Sequence, residues 1–149
     1  MGLMNIFDIT GSAMSAQSVR LNTTASNMAN ADTAAGVADQ VYRGRHPVFA
    51  TVSASALRQV NNGFAQIDFS DNGAVGVRIA GIVEDDREVQ ARYEPQHPLA
   101  DEEGFVYYPN VNVVEEMSDM ISASRSFQAN VEVMNAARSM MQRVLSMGR

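Results

Sequence analysis

The residues able to do chemistry are few and scattered. His46 and His97 are the only histidines, and each precedes a proline in a different loop-like stretch. A metal site there would need carboxylate partners such as Asp101 or Glu102; two isolated His-Pro pairs read more simply as turn residues. The acidic run Glu84, Asp85, Asp86 and Glu88 lacks the glycine and spacing of a calcium loop. It reads as a solvated turn between strands. Gly73, Gly76 and Gly81 form a glycine pattern with no Lys-Ser/Thr and no strand-to-helix context, which does not support a phosphate loop. Cysteine is absent, which excludes disulfides, thiol catalysis and thiolate metal sites. No Gly-x-Ser-x-Gly elbow occurs. Paired carboxylates for glycoside hydrolysis would need an apolar pocket wall, and the residues around the acidic run do not provide one. The expectation is a protein that is not an enzyme, with no cofactor and no metal.

The elements that would position any site point the same way. The chain has 149 residues, enough for one domain or a small domain with extended arms. Hydrophobic residues reach 46% but aromatics only 7%, with ten Met and no Trp, so the apolar content is small or flexible. Seventeen acidic residues against eleven basic ones give a net charge of -6, which argues against a nucleic-acid partner. Every basic residue is Arg, whose planar fork suits protein interfaces. The N-terminal Met-Gly-Leu-Met-Asn-Ile-Phe-Asp has no basic n-region, so no Sec signal is expected. No window approaches the ~18 apolar residues of a membrane span, and the chain is not expected to span one.

Periodicity divides the chain into three. Residues 1–32 hold a helix from about Asn5 to Ala31. Phe7, Met14, Leu21 and Met28 recur every seven residues, and Gly11, Ser18 and Ala25 follow the first three by four. Residues 109–149 hold a longer helix, about Asn112 to Ser146, started by Asn110 or Asn112 after Pro109 and ended by Gly148. One seam position is Val113, Met120, Phe127, Met134 and Met141; the other is Met117, Ser124, Val131, Arg138 and Leu145. Acids early in this helix and arginines late complement its dipole. Residues 33–108 alternate with period two at Phe64–Phe69, Val75–Ile79 and Val89–Tyr93, with a turn at Asp71-Asn72-Gly73 and an ambiguous Val52–Val60. The expected fold is α+β: N- and C-terminal helices pairing as an antiparallel coiled-coil-like core, with a small β-rich middle domain.

The seams carry too little apolar bulk to offset the ordering of two such long helices. Neighbouring subunits are expected to supply the missing cover. The candidate assembly residues are the two seams together with Asn27 and Asn30. A desolvated Asn between subunits would fix register; ordinary helix-end capping is the alternative for both. Arg125 and Arg138 are candidates for pairs with Glu115, Glu116 or Glu132 between subunits, against solvated surface pairs.

The stretch Ser26-Asn27-Met28-Ala29-Asn30-Ala31-Asp32 resembles the N-terminal signature of bacterial flagellar rod and hook proteins. Asn5–Asn22, Tyr93-Glu-Pro-Gln-His-Pro-Leu-Ala-Asp101, Gly104–Val111 and Glu116–Asn135 extend the resemblance to the proximal rod members of this axial family. Met28 stands where Leu is more usual, and Val48–Asn72 is longer and more polar than the connector the family leads one to expect. The resemblance implies a structural subunit of the basal-body proximal rod. Its terminal helices would build a hollow drive shaft that crosses the periplasm, passes torque and surrounds the export channel. Export would run through the flagellar type III apparatus. Implied neighbours are other copies, FliE, FlgB and FlgF, with the inner-membrane ring protein FliF nearby. The alternatives are another axial role, or a small ligand-binding domain with dimerising helical arms, which would show a concave pocket with convergent titratable groups.

Overall fold

The computed structural model describes residues 3–53 and 74–147. The elements run α1 (Leu3–Asn30), a 3-10 turn (Ala38–Gln40), β1 (Arg45–Ser53), β2 (Ala74–Glu84), β3 (Gln90–Tyr93), β4 (Phe105–Tyr108) and α2 (Val113–Met147). The α+β expectation holds, with both long helices at the ends of the sequence. The expected strand at Phe64–Phe69, the Asp71-Asn72-Gly73 turn and Gly148 lie outside the described residues. So does Val52–Val60 beyond the end of β1.

Local chemistry accounts for the helix ends. Asn112 starts α2: its Oδ1 accepts from Val114 N (3.1 Å), and its carbonyl accepts from Glu116 N (3.0 Å). Asn110, the other candidate cap, is buried and used elsewhere. Glu115 and Glu116 stand in the first turn, where they favour the dipole. The last described turn holds no base; Arg149, the last of the late arginines, lies outside the described residues. At the end of α1, Asn30 Nδ2 turns back onto the Ser26 carbonyl (2.8 Å), and the Asn30 carbonyl accepts from both Thr33 N and Thr33 Oγ1.

The chain forms two compact units. The first comprises Met1–Ser18, Val48–Gly81 and Ser124–Arg149. In it β2 lies directly on α1. Ser12 Oγ donates to the Ile9 carbonyl and accepts from Val77 N (3.1 Å). A Cβ on Gly76 would stand 2.6 Å from Ser12 Oγ, so only glycine allows this approach. Ala16 and Ala137 are buried here, as is Thr10, whose hydroxyl donates to the Ile6 carbonyl (2.7 Å).

The second unit comprises Val19–Pro47 and Ile82–Ala123. Here α1 and α2 run antiparallel: Arg20 meets Asp119 at 2.7 Å, while Asn27 meets the earlier Glu116 at 2.8 Å. β3 and β4 pair antiparallel in the register Gln90↔Tyr108 to Tyr93↔Phe105. Ala35 adds one further antiparallel bridge to Tyr107. Val106 is fully buried at the centre of this small sheet. Asp101 closes the β3–β4 connection, with Oδ1 accepting from Glu103 N and Phe105 N (2.7 Å). His97 serves the same loop: its Nδ1 accepts from Leu99 N (3.1 Å), the turn role its His-Pro context suggested. β1 and β2 form a separate two-stranded sheet.

The connection turns at Gly104, at φ 85°, where a Cβ would lie 3.0 Å from the Tyr93 ring and 3.2 Å from Pro95 Cβ. Gly104→Ala is expected to cost roughly 1–3 kcal/mol in chemical denaturation, from a left-handed backbone that alanine resists and the added contact. Gly81→Ala, where nothing lies within 4 Å, is the near-neutral control.

Candidate assembly interface

The most constrained side chain in the second unit is Asn27, with no exposed surface. Its Oδ1 accepts from Tyr42 OH (2.8 Å) and Arg45 N (3.0 Å). Its Nδ2 donates to the Arg45 carbonyl (2.8 Å) and to Glu116 Oε1 (2.8 Å). An amide offers two donors and two acceptor lone pairs. All are spent inside the chain, leaving none for a neighbouring subunit. Asn27 therefore fixes register within the chain, joining α1, the start of β1 and the first turn of α2. Tyr42 OH also pairs with Ser26 Oγ, and the Arg45 guanidinium lies over the Tyr42 ring and bonds Glu84. Asn30 turns one side-chain donor onto the Ser26 carbonyl of its own helix end.

A second buried amide, Asn110, holds the residue next to Arg45. Asn110 Oδ1 accepts from Gly44 N (2.9 Å), and its Nδ2 donates to the Asp85 and Arg87 carbonyls. Asp85 in turn accepts from Arg87 through the backbone N–H (2.9 Å) and the guanidinium (2.6 Å). The Arg87 side chain is the chief reason the Asp85 carboxyl sits below the usual carboxylate range; the Arg87 backbone N–H and the nearby His46 add to it. His46 Nε2 stands 3.7 Å from Asp85. The acidic run is thus a turn, as expected, but a pinned one. Tyr42 and Arg45 carried no signal in the sequence, and Asn110, expected as a possible helix cap, instead bonds Gly44, Asp85 and Arg87.

The helices bury faces other than their apolar stripes. In α1 the buried residues are Thr10, Ala16, Thr23, Thr24 and Asn27, continued just past the helix by Ala31. Phe7, Met14, Leu21 and Met28 are half-buried. Met28 is one residue from Asn27, about 100° around the helix. Ser18 and Ala25, expected as the second seam position, are exposed, and a Cβ on Gly11 would meet nothing within 4 Å. In α2 the buried positions are Glu116, Ala123 and Ala137, with Asn130 half-buried between them. This is the expected second seam displaced by one residue. Met120, Phe127, Met134 and Met141 are half-buried and Val113 is exposed. Of the displaced set, Ser124 and Val131 are half-buried, while Met117 (50% exposed), Arg138 and Leu145 (69%) face outward. Arg125 is exposed, and Glu115 lies 3.9 Å from Arg87 within the chain.

No metal-holding group of three or more His, Asp or Glu occurs among the described residues, and no described helix is long and apolar enough to cross a membrane. A shallow groove of about 260 Å³ in the second unit is lined by Val19, Asn22, Thr23, Ser26, Arg45 and Ile82. Arg45 is its one titratable side chain, so it does not gather the convergent groups a catalytic pocket needs.

Two long terminal helices keep large apolar residues exposed, and in the sequence they flank a small β-rich middle; sequence comparison supplies the class, that of flagellar rod subunits. Residues 7–34 match the family described as flagella basal body rod protein, and residues 102–147 match the flagellar basal body rod FlgEFG protein C-terminal family. The chain is 46% identical over 149 residues to the flagellar basal-body rod protein FlgC of Salmonella typhimurium strain LT2, covering 99% of each. It is 47% identical to FlgC of Yersinia enterocolitica over 148 residues, again covering 99% of each. With FlgC of Borreliella burgdorferi it shares 36% over 155 residues, covering 98% of this chain and 97% of the relative. The chain belongs to the FlgC family of flagellar basal-body rod proteins.

Asn27→Ala is expected to destabilise the chain by about 2–4 kcal/mol in urea unfolding, since several buried groups lose their partner at once. The Asp85 carboxyl is lowered in the folded state. Its contribution is therefore complete above the ordinary carboxylate pKa and disappears as pH falls through the lowered one. Unfolding midpoints measured from about pH 5 to pH 2 are expected to fall less steeply for Asp85→Asn than for the unaltered chain.

Proposed function

We propose that this chain is a structural subunit of the proximal rod, assembling through its terminal helices into the hollow shaft that carries torque and surrounds the export channel. Near-full-length identity to FlgC rod proteins carries this reading. The exposed faces support the mode of assembly. The stripe Phe7, Met14, Leu21 and Met28 is only half-covered by its own chain, and the adjoining Gly11, Ser18 and Ala25 are small enough to admit a neighbouring helix closely. Met117, Val131 and Leu145 on α2 belong to the same proposal, with Met120, Phe127, Met134 and Met141 completing the wall. Arg125 and Arg138 are proposed to pair with acids of adjacent subunits. A stiff tube requires many such seams in parallel, and open heterologous contacts generate helical arrays.

The partners proposed are other copies, FliE, FlgB and FlgF, with FliF at the base. The location proposed is the rod in the periplasm, reached by type III export. A polypeptide threaded through a narrow channel must unfold first, and two-stranded sheets and half-covered helices resist unfolding little. The structural role gives no reason to expect an enzymatic activity.

Leu21→Asp tests the reading in a strain lacking its own copy of the gene. Swimming is expected to be lost, while the purified chain stays folded and loses about 1–1.5 kcal/mol, half of what full burial of a Leu side chain contributes. Normal swimming with the aspartate in place would overturn the assignment of this stripe.

A further inference from the structure

One edge of the small sheet in the second unit is left unpaired. All four residues of β3, Gln90–Tyr93, are exposed. Its ladder with β4 joins alternate residues, and Glu94 N donating to the Gly104 carbonyl (2.9 Å) sets the phase. Ala91 and Tyr93 fall between those bonds. The residues opposite them are spent elsewhere: Tyr107 exchanges both backbone bonds with Ala35, while the Phe105 carbonyl accepts from Asp101 N and the Phe105 N–H donates to Asp101 Oδ1. The N–H and C=O groups of Ala91 and Tyr93 therefore point away from β4, out of the sheet, and no backbone partner for them occurs among the described residues.

We infer that this edge pairs antiparallel with the same edge of a second copy of the chain, Gln90 opposite Gln90. Charges on an edge strand ordinarily keep a second strand away; here their order is self-complementary. Glu88 and Arg92 are both exposed, and neither has an ion-pair partner among the described residues. They flank Gln90 on one face of the extended run. Three antiparallel registers bring the outward groups of Ala91 against outward groups of the other copy. Ala91 on Ala91 sets Glu88 against Glu94 twice. Arg92 on Arg92 sets like charges at the centre. Gln90 on Gln90 sets Glu88 against Arg92 twice, and Ala91 against Val89 in hydrogen-bonded pairs. Opposite charges across a ladder attract and like charges repel, so the third register wins. The Arg92 guanidinium lies over the Tyr108 ring, 4.5 Å from its centroid, and one of its nitrogens reaches Gln90 Oε1. That stack leaves other donors at its rim for a carboxylate. The contact is isologous and closes at two copies, so it belongs to the chain outside the open array proposed above.

With no native cysteine, a single substitution reports the register. Purified full-length Gln90→Cys, mildly oxidised, is expected to give a covalent dimer in several-fold higher yield than Ala91→Cys, whose thiols this register sets on a diagonal too long for a disulfide. Adding Glu88→Arg to the Gln90→Cys chain is expected to cut the yield roughly tenfold, because two attractions become two repulsions. Adding Arg92→Glu as well is expected to restore it. A Gln90→Cys yield no higher than that of Ala91→Cys sinks the pairing. So does a yield that Glu88→Arg leaves unchanged or raises, the latter being the mark of the Ala91-on-Ala91 register. The same dimer is expected when Leu21→Asp is added. Its absence there and in the parent, with swimming lost in Leu21→Asp, sinks this contact and leaves the rod reading. A charge-dependent dimer with normal swimming in Leu21→Asp does the reverse.

Discussion

A single buried amide holds the helical part of the second unit in register. Asn27 uses every hydrogen-bonding position it has, on two separate stretches of chain, Tyr42–Arg45 and the start of α2. A one-residue slip of α1 against α2 would move it away from Glu116, Tyr42 and Arg45 together. Hydrophobic contacts alone tolerate such slips, because one Met or Leu fills a groove much as the next does. A fully partnered polar group does not, since leaving buried donors and acceptors unmade costs more than making them gains. Asn110 does comparable work between Gly44 and the Asp85–Arg87 turn. The unit is specified by polar geometry more than by apolar bulk.

That constraint explains what the sequence made legible and what it concealed. The long heptads marked both helices to within a few residues, because a seven-residue repeat without proline admits few other readings. The residues each helix buries within the chain lie one position before the predicted second seam: Thr10 before Gly11, and Glu116, Ala123 and Ala137 before Met117, Ser124 and Arg138. Ranking residues by apolar character favours Met117, Val131 and Leu145 over Glu116 and Asn130, and Gly11 over Thr10. Thr10 and Thr23 are buried because their hydroxyls bond carbonyls of their own helix, whereas Glu116 bonds Asn27 through Oε1 and leaves Oε2 buried without a partner among the described residues. No scale of residue types contains that information, since it depends on a partner 89 positions away.

The strands show the same division. β2 and β3 were visible as alternation at Val75–Ile79 and Val89–Tyr93. β4, Phe105–Tyr108, was not, because its four residues are all apolar or aromatic and follow a glycine. Its identity as a strand comes from pairing with β3 and from the Ala35 bridge. β1 begins at Arg45-His46-Pro47, whose His-Pro pair read as a turn; near a strand's beginning proline is tolerated, and this pair belongs to the strand. The resemblance to axial proteins rested on the Tyr93–Asp101 block and the Ser26–Asp32 motif. Both prove to be structural: one closes the β3–β4 connection through Asp101, and the other carries Asn27.

Placing polar groups inside and leaving apolar ones outside has a consequence for the role of the chain. A subunit that buried its Phe, Met and Leu stripes against itself would be a better monomer and a poorer building block, since nothing apolar would remain to drive association. Here Thr, Ala and Asn occupy the inward face of α1, and the larger stripe stays half-covered. The internal polar clamps fix where each helix stands. The outward stripes then present a defined surface, so association can be driven by apolar burial while its geometry is set within the subunit. In the proposed assembly, Arg125 and Arg138 would add directional pairing at the edges of those stripes at little cost in lost rotamer freedom per bond. Register from within and cohesion from without are separable tasks in this chain, and a shaft that must be both specific and stiff needs each of them.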